Sequence, residues 1–130
     1  MRRTIQMAAV GLLTLGLVAP GAVAAAKDGD VIRRGSCSGA STWKLKASPE
    51  NGRIEVDFEV DSNVVGQAWD VRLLKNGVAF FNGQRTTTAP SGSFELRRLT
   101  ANPAGTDTIK GRAFNPSTGE LCVGQLQFSA

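Results

Sequence analysis

The sequence predicts an all-β protein, a seven-stranded antiparallel sandwich of two sheets that follows an N-terminal export signal. Three observations predict it. Apolar and polar residues alternate with period two from Trp43 almost to the end of the chain. Clusters of Gly, Pro, Asn and Ser break that alternation at short, regular intervals. No stretch beyond residue 34 carries the 3.6-residue period of an amphipathic helix. Short half-buried strands joined by tight turns pair antiparallel, and stacking two such sheets brings every inward side chain against another apolar one.

Residues 1–26 read as a signal peptide. Arg2 and Arg3 form a positive n-region, and Met7 to Val18 is apolar apart from Thr and Gly. Ala22-Val23-Ala24 and then Ala24-Ala25-Ala26 place small residues two apart, so cleavage is expected after Ala24 or Ala26. The apolar run is shorter than the roughly 20 residues that span a bilayer, so no membrane anchor is expected after cleavage. No cysteine stands at the cleavage point to take a lipid, and the product is expected to be secreted and extracellular. Residues 27–40 are then an N-terminal segment carrying Cys37, with Lys27 to Arg34 as a linker, and 41–130 the sandwich domain.

The first strand is marked by Trp43, Leu45 and Ala47 alternating with Lys44 and Lys46, and it ends at the turn sequence Ser48-Pro49-Glu50-Asn51-Gly52. Arg53 to Asp61 is the clearest segment: Ile54, Val56, Phe58 and Val60 share one face, and Arg53, Glu55, Asp57, Glu59 and Asp61 the other. Gln67 to Lys75 turns Trp69, Val71 and Leu73 inward, and Asn76-Gly77 is a hairpin signal leading into Val78 to Arg85. In Ser91 to Leu99, Phe94 and Leu96 point inward. Arg98 then falls on the inner face, which predicts a bulge or the strand's end close by. Thr108 to Asn115 and Leu121 to Phe128 complete the set across Pro116-Ser117-Thr118-Gly119.

Composition removes most chemistry. The 130 residues include no His, and two Cys are too few for a thiolate zinc site or an iron–sulfur cluster. Removing Arg2 and Arg3 with the signal leaves 13 of the 15 basic residues against 11 acids, a balance of +2. So small an excess does not predict nucleic-acid binding. In an oxidising compartment Cys37 and Cys122 can form one intramolecular bridge, closing a loop of about 84 residues and stapling the start of the domain to its last strand.

With Trp69 on the third strand and Thr108 to Gly119 as a strand and hairpin, residues 41–128 resemble the immunoglobulin and fibronectin type III class. In its lettering the strands are A, B, C, C′, E, F and G. The cysteines depart from the antibody pattern, since they join the segment before A to strand G rather than B to F, and the chain has no Tyr for a tyrosine corner. With Cys37-Ser38-Gly39 near the start and Gly119-Glu120-Leu121-Cys122-Val123-Gly124 near the end, the whole chain is also similar to small, single-disulfide secreted proteins of unassigned function from high-GC Gram-positive bacteria.

The acids Glu55 to Asp61 lie about 7 Å apart along one strand face, too flat an array to converge on calcium; no metal and no cofactor are expected. Binding is expected at the loops or on an exposed sheet face. The candidates are Phe81, Arg85, Thr86, Thr87 and Thr88 at the end of C′, and Arg72, Lys110 and Arg112 as a mildly basic face suited to anionic wall polymers. Together these features lead to the expectation of a monomeric, non-enzymatic extracellular module that binds a protein or a cell-envelope polymer. The alternatives are a small inhibitor or toxin-like protein presenting Thr86 to Ser91, an apolar-ligand carrier, and a hydrolase working through paired carboxylates.

Overall fold

The computed structural model describes residues 27–129, so the expected signal peptide lies outside the described residues. Among these, eight strands follow in chain order: β1 (Val31–Ser36), β2 (Thr42–Glu50), β3 (Arg53–Asp61), β4 (Ala68–Lys75), β5 (Val78–Thr86), β6 (Ser93–Ala101), β7 (Thr106–Phe114) and β8 (Leu121–Ser129). They form two antiparallel sheets of four, ordered β1-β2-β3-β6 and β5-β4-β7-β8. The seven strands expected from the alternation become eight because β1 arises where a linker was expected. Its sequence, Val-Ile-Arg-Arg-Gly-Ser, is too short and too charged to show a period. Pairing makes it a strand: it runs along β2 from Val31 opposite Ala47 to Ser36 opposite Thr42.

The core is the set of inward positions of both sheets. Ile54, Val56, Phe58 and Val60 of β3 lie fully buried against Leu73 of β4 and Ile109 and Ala113 of β7, among others. Each such side chain removed from water contributes about 1.5–3 kcal/mol, which is what fixes the register of a strand whose other face is charged. The Asn76-Gly77 hairpin joins Lys75 directly to Val78, with φ of 52° and 82° at its two residues. Positive φ at both positions is the I′ geometry, whose twist matches the flanking strands.

The two long sides of the sandwich are closed by aromatic rings lying on glycines. On one side the Trp43 indole sits between Gly35 of β1 and Gly124 of β8, where a Cβ on either would stand 2.6 Å from the ring. On the other, the Phe81 ring lies along β5 over Gly83, whose Cβ would stand 2.7 Å away. Arg85 of β5 and Arg98 of β6 stack on this ring with their guanidinium carbons 4.9 and 4.7 Å from its centroid. This arrangement corrects the expectation for Arg98. β6 continues to Ala101 in unbroken register, and Arg98, opposite Val56, keeps its inward position because the aromatic face satisfies the cation at the open edge. The register shift falls instead between Leu73 and Leu74, opposite Phe81 and Ala79, and leaves both Phe80 and Phe81 half-buried.

Cys37 and Cys122 are joined, linking the β1–β2 connection to β8. Ser38 reinforces the link: its backbone N–H donates to the Leu121 carbonyl at 2.8 Å, and the Leu121 N–H donates to its Oγ at 2.9 Å. The Glu120 carboxylate accepts from the Gly39 and Ser41 N–H groups and from the Ser41 hydroxyl. No helix of the described residues is long and apolar enough to cross a membrane.

Candidate functional site

The residues singled out as binding candidates fall in three places. Phe81 and Arg85 belong to the inner face of β5, opposite Leu73 and Trp69, and form the edge stack. Thr87 is buried: its Oγ1 donates to the Val64 carbonyl at 2.6 Å and accepts from the Gln67 N–H at 2.9 Å, clamping the β3–β4 and β5–β6 connections together. Thr86, at the end of β5, and Thr88, bridged to Ser93, are exposed beside this clamp. Arg72, Lys110 and Arg112 alone come together on a free surface, the outer face of β5-β4-β7-β8.

Alternation places them there. Trp69, Val71 and Leu73 take the inner face of β4, so Asp70, Arg72 and Leu74 take the outer; Ile109, Gly111 and Ala113 do the same for Lys110 and Arg112 on β7. Arg72 stands directly opposite Arg112, with Asn82 on its other side and Val123 beyond Arg112. In the next row Leu74, Lys110 and Gln125 are neighbours; in the row on the other side, Gln84, Asp70, Phe114 and Leu121. Two guanidinium groups directly opposed across strands repel, and such a pair is destabilising unless an anion lies between them. None of the ion pairs among the described residues involves Arg72, Lys110 or Arg112. Asp70, the nearest acid on this face, accepts only a 3.4 Å contact from the Gln84 amide. The half-buried Leu74, Phe114 and Leu121 flank the cations with apolar surface.

The opposite outer face is different in kind. The acidic row of β3 runs between Lys44 and Lys46 on β2 and Glu95 and Arg97 on β6. Arg97 donates to Asp57 at 3.1 Å and lies 3.6 Å from Glu95. No three acidic or sulfur-bearing side chains among the described residues converge on a point. A shallow depression of about 460 Å³ near Trp43 is lined by Arg34 and Lys44 facing Glu59 and Asp61. Charges of both signs line it, so they largely cancel and it exerts no net pull on an ion.

The crowding of carboxyls on that face has a measurable effect. The hydrogen bond that the protonated Glu95 carboxyl donates to Asp57, together with partial burial and the negative charge of Asp57, raises the Glu95 pKa above its ordinary 4.5, against the pull of Arg97. A raised carboxyl pKa means that the folded state holds the proton more tightly. The associated stabilisation is therefore full below pH 4.5 and is lost as pH rises through the folded-state value. Glu95→Gln is accordingly expected to be more stable than the wild type at pH 7, and the advantage should vanish in urea melts below pH 4.5. Because the Glu95 side chain is 53% exposed, the gain should be under about 1 kcal/mol.

The free cations therefore mark the outer face of β5-β4-β7-β8 as the site of interest, and likeness to a known protein adds nothing to that choice: no family model, curated protein or solved structure matches the chain.

Proposed function

We propose that this protein is a secreted, non-enzymatic binding module of the extracellular space, which takes an anionic polymer of the cell envelope on the outer face of β5-β4-β7-β8. The observation that carries the reading is the direct opposition of Arg72 and Arg112, with Lys110 in the adjoining row and no acid within ion-pairing distance of any of them. A phosphate, sulfate or carboxylate group between two guanidinium forks removes their repulsion and accepts paired, charge-assisted hydrogen bonds. A flat face suits a chain of repeating charges better than a single small molecule, which a concave pocket would bury.

Export is supported by the N-terminal sequence pattern and by the disulfide, a bond that persists in oxidising compartments. The absence of His from the chain supports a binding role over acid–base catalysis. The sheet orders support an immunoglobulin or fibronectin type III-like arrangement in which β2, β3, β4, β5, β6, β7 and β8 take the places of A, B, C, C′, E, F and G, and β1 is added beside A. The inhibitor reading draws on the tip from Thr88 to Ser91, exposed above the buried Thr87.

The test is binding of the oxidised protein to polyphosphate, to a polyuronate and to a sulfated glycan by titration calorimetry at low and at physiological salt. At least one of these is expected to bind. Arg72→Ala and Arg112→Ala should each weaken binding about 10- to 100-fold, the scale of a charge-assisted hydrogen bond, while leaving the melting temperature unchanged or higher. Arg53→Ala, on the opposite face, should leave affinity unchanged. Absence of binding to all three polymers, or binding indifferent to Arg72 and Arg112, rejects the proposal.

A further inference from the structure

A sheet edge is a row of unpaired backbone donors and acceptors, and natural proteins blunt such edges with charges, prolines, bulges or a covering segment. This sandwich has four, at β1, β6, β5 and β8. Three carry such protection. β1 has Arg33 and Arg34, β6 has Glu95, Arg97 and Arg98, and β5 combines Arg85 with the register shift opposite Leu73 and Leu74. β1 covers what would otherwise be an edge at β2, and β8 remains. It runs for nine residues, Leu-Cys-Val-Gly-Gln-Leu-Gln-Phe-Ser, with no charge and no proline, and pairs with β7 in unbroken register.

The hydrogen bonds around its first residue show which backbone groups face outward. The Glu120 carbonyl points toward β7, where it accepts from Asn115, whereas both the N–H and the carbonyl of Leu121 point away from β7, to Ser38. Alternation along the strand then directs the N–H and carbonyl of Val123, Gln125, Gln127 and Ser129 to the open edge. Their side chains stand on the outer face and are exposed, while Cys122, Gly124, Leu126 and Phe128 are buried within the sandwich.

We infer that β8 pairs antiparallel with β8 of a second copy of this chain, which joins the two β5-β4-β7-β8 sheets into one. A two-fold interface sets a strand against itself, so a charge close to the axis is brought near its own copy. β8 is the edge among the four that escapes this penalty. Ser38 also sets the register. With Leu121 already occupied, the pairing that uses every remaining open group places Gln125 opposite Gln127 of the second copy and Val123 opposite its Ser129, and the axis passes at Leu126. Strand addition of this kind keeps both outer faces on the same side, so Arg72 and Arg112 of the two copies face one way. The pairing stands on the edge alone and is independent of what that face binds.

Sedimentation velocity of the oxidised protein over a concentration series, with amide hydrogen exchange on the same samples, tests the inference. A monomer–dimer equilibrium is expected, and the amides of Val123, Gln125, Gln127 and Ser129 should gain protection as concentration rises. The Leu121 amide, bonded to Ser38, should be protected throughout. Gln127→Pro removes an outward N–H that has no partner within the chain, a place where an edge strand tolerates proline. Gln125→Lys brings two positive charges to the axis. Each should weaken the dimer at least about tenfold with little change in melting temperature, whereas Leu99→Lys on β6 should not weaken it. A wild-type monomer at every concentration, a dimer unaffected by both β8 variants, or protection of those amides that does not depend on concentration overturns the inference.

Discussion

Reduction of the Cys37–Cys122 bond is expected to destabilise the domain by about 2–5 kcal/mol, enough to lower its melting temperature by roughly 10–30 °C. The bridge joins positions 85 apart in sequence, and a cross-link that closes so long a loop removes much of the freedom of the unfolded chain. In the chain-entropy model that alone is worth about 4–5 kcal/mol. The folded state offers partial compensation through Ser38 and Glu120, which hold the same connection to β8 without the sulfur bond. The reduced protein should therefore keep its fold at low temperature and melt early. The Cys37→Ala/Cys122→Ala double variant should melt with it, which separates loss of the cross-link from side reactions of free thiols. A reduced protein that melts within a few degrees of the oxidised form would show that the hydrogen bonds alone hold the connection.

Trp69→Ala is expected to cost about 3–5 kcal/mol, and Trp69→Phe distinctly less. The indole is fully buried on β4, with its ring centroid 6.5 Å from that of Phe94 and the planes tilted at 53°. Truncation to Ala opens a cavity between sheets whose strands are fixed by their ladders and cannot collapse onto it. The Nε1 atom is buried without a hydrogen-bond partner in the protein. Phenylalanine removes that unsatisfied donor along with some volume, and the two effects partly cancel. Urea unfolding followed by fluorescence reads both variants, since Trp43 remains as a reporter. With a slope of about 1–3 kcal/mol per molar, the Ala midpoint should fall by about 1–5 M and the Phe midpoint by much less. Equal losses in the two variants would mean that the Nε1 group carries a stabilising bond through solvent.

The lesson of β3 and β1 is that a strand is legible when one of its faces is buried along its whole length. Ile54, Val56, Phe58 and Val60 sit between polar residues, and that alternation alone locates β3 and its inner face. β1 has no such pattern, because its inward positions, Val31, Arg33 and Gly35, are suited to an edge where Trp43 covers a glycine. Arg98 takes the inner-face position that the alternation predicts, and it does so without a bulge for a related reason. An inward cation normally ends a strand, and its acceptance here depends on Phe81, which lies on the other sheet.

The candidate site divides in the same way. Period two places Arg72 on one strand and Lys110 and Arg112 on another, each outward, but the direct opposition of Arg72 and Arg112 depends on the register of β4 against β7. Thr87 looks from sequence like its exposed neighbours Thr86 and Thr88, and it is buried because Val64 and Gln67, some twenty residues earlier in the chain, supply its partners.

By itself, then, the sequence determined the properties that are local or statistical: the all-strand class, the inward set of each regular strand, the I′ turn at Asn76-Gly77, and the presence of two cysteines able to pair. Tertiary structure alone decided that residues before the first periodic strand join a sheet, which edge is left bare, and which cations face one another without a counter-charge. Those outcomes depend on register and on contacts between residues far apart in sequence, and a period along the chain carries no information about which strand will lie beside it.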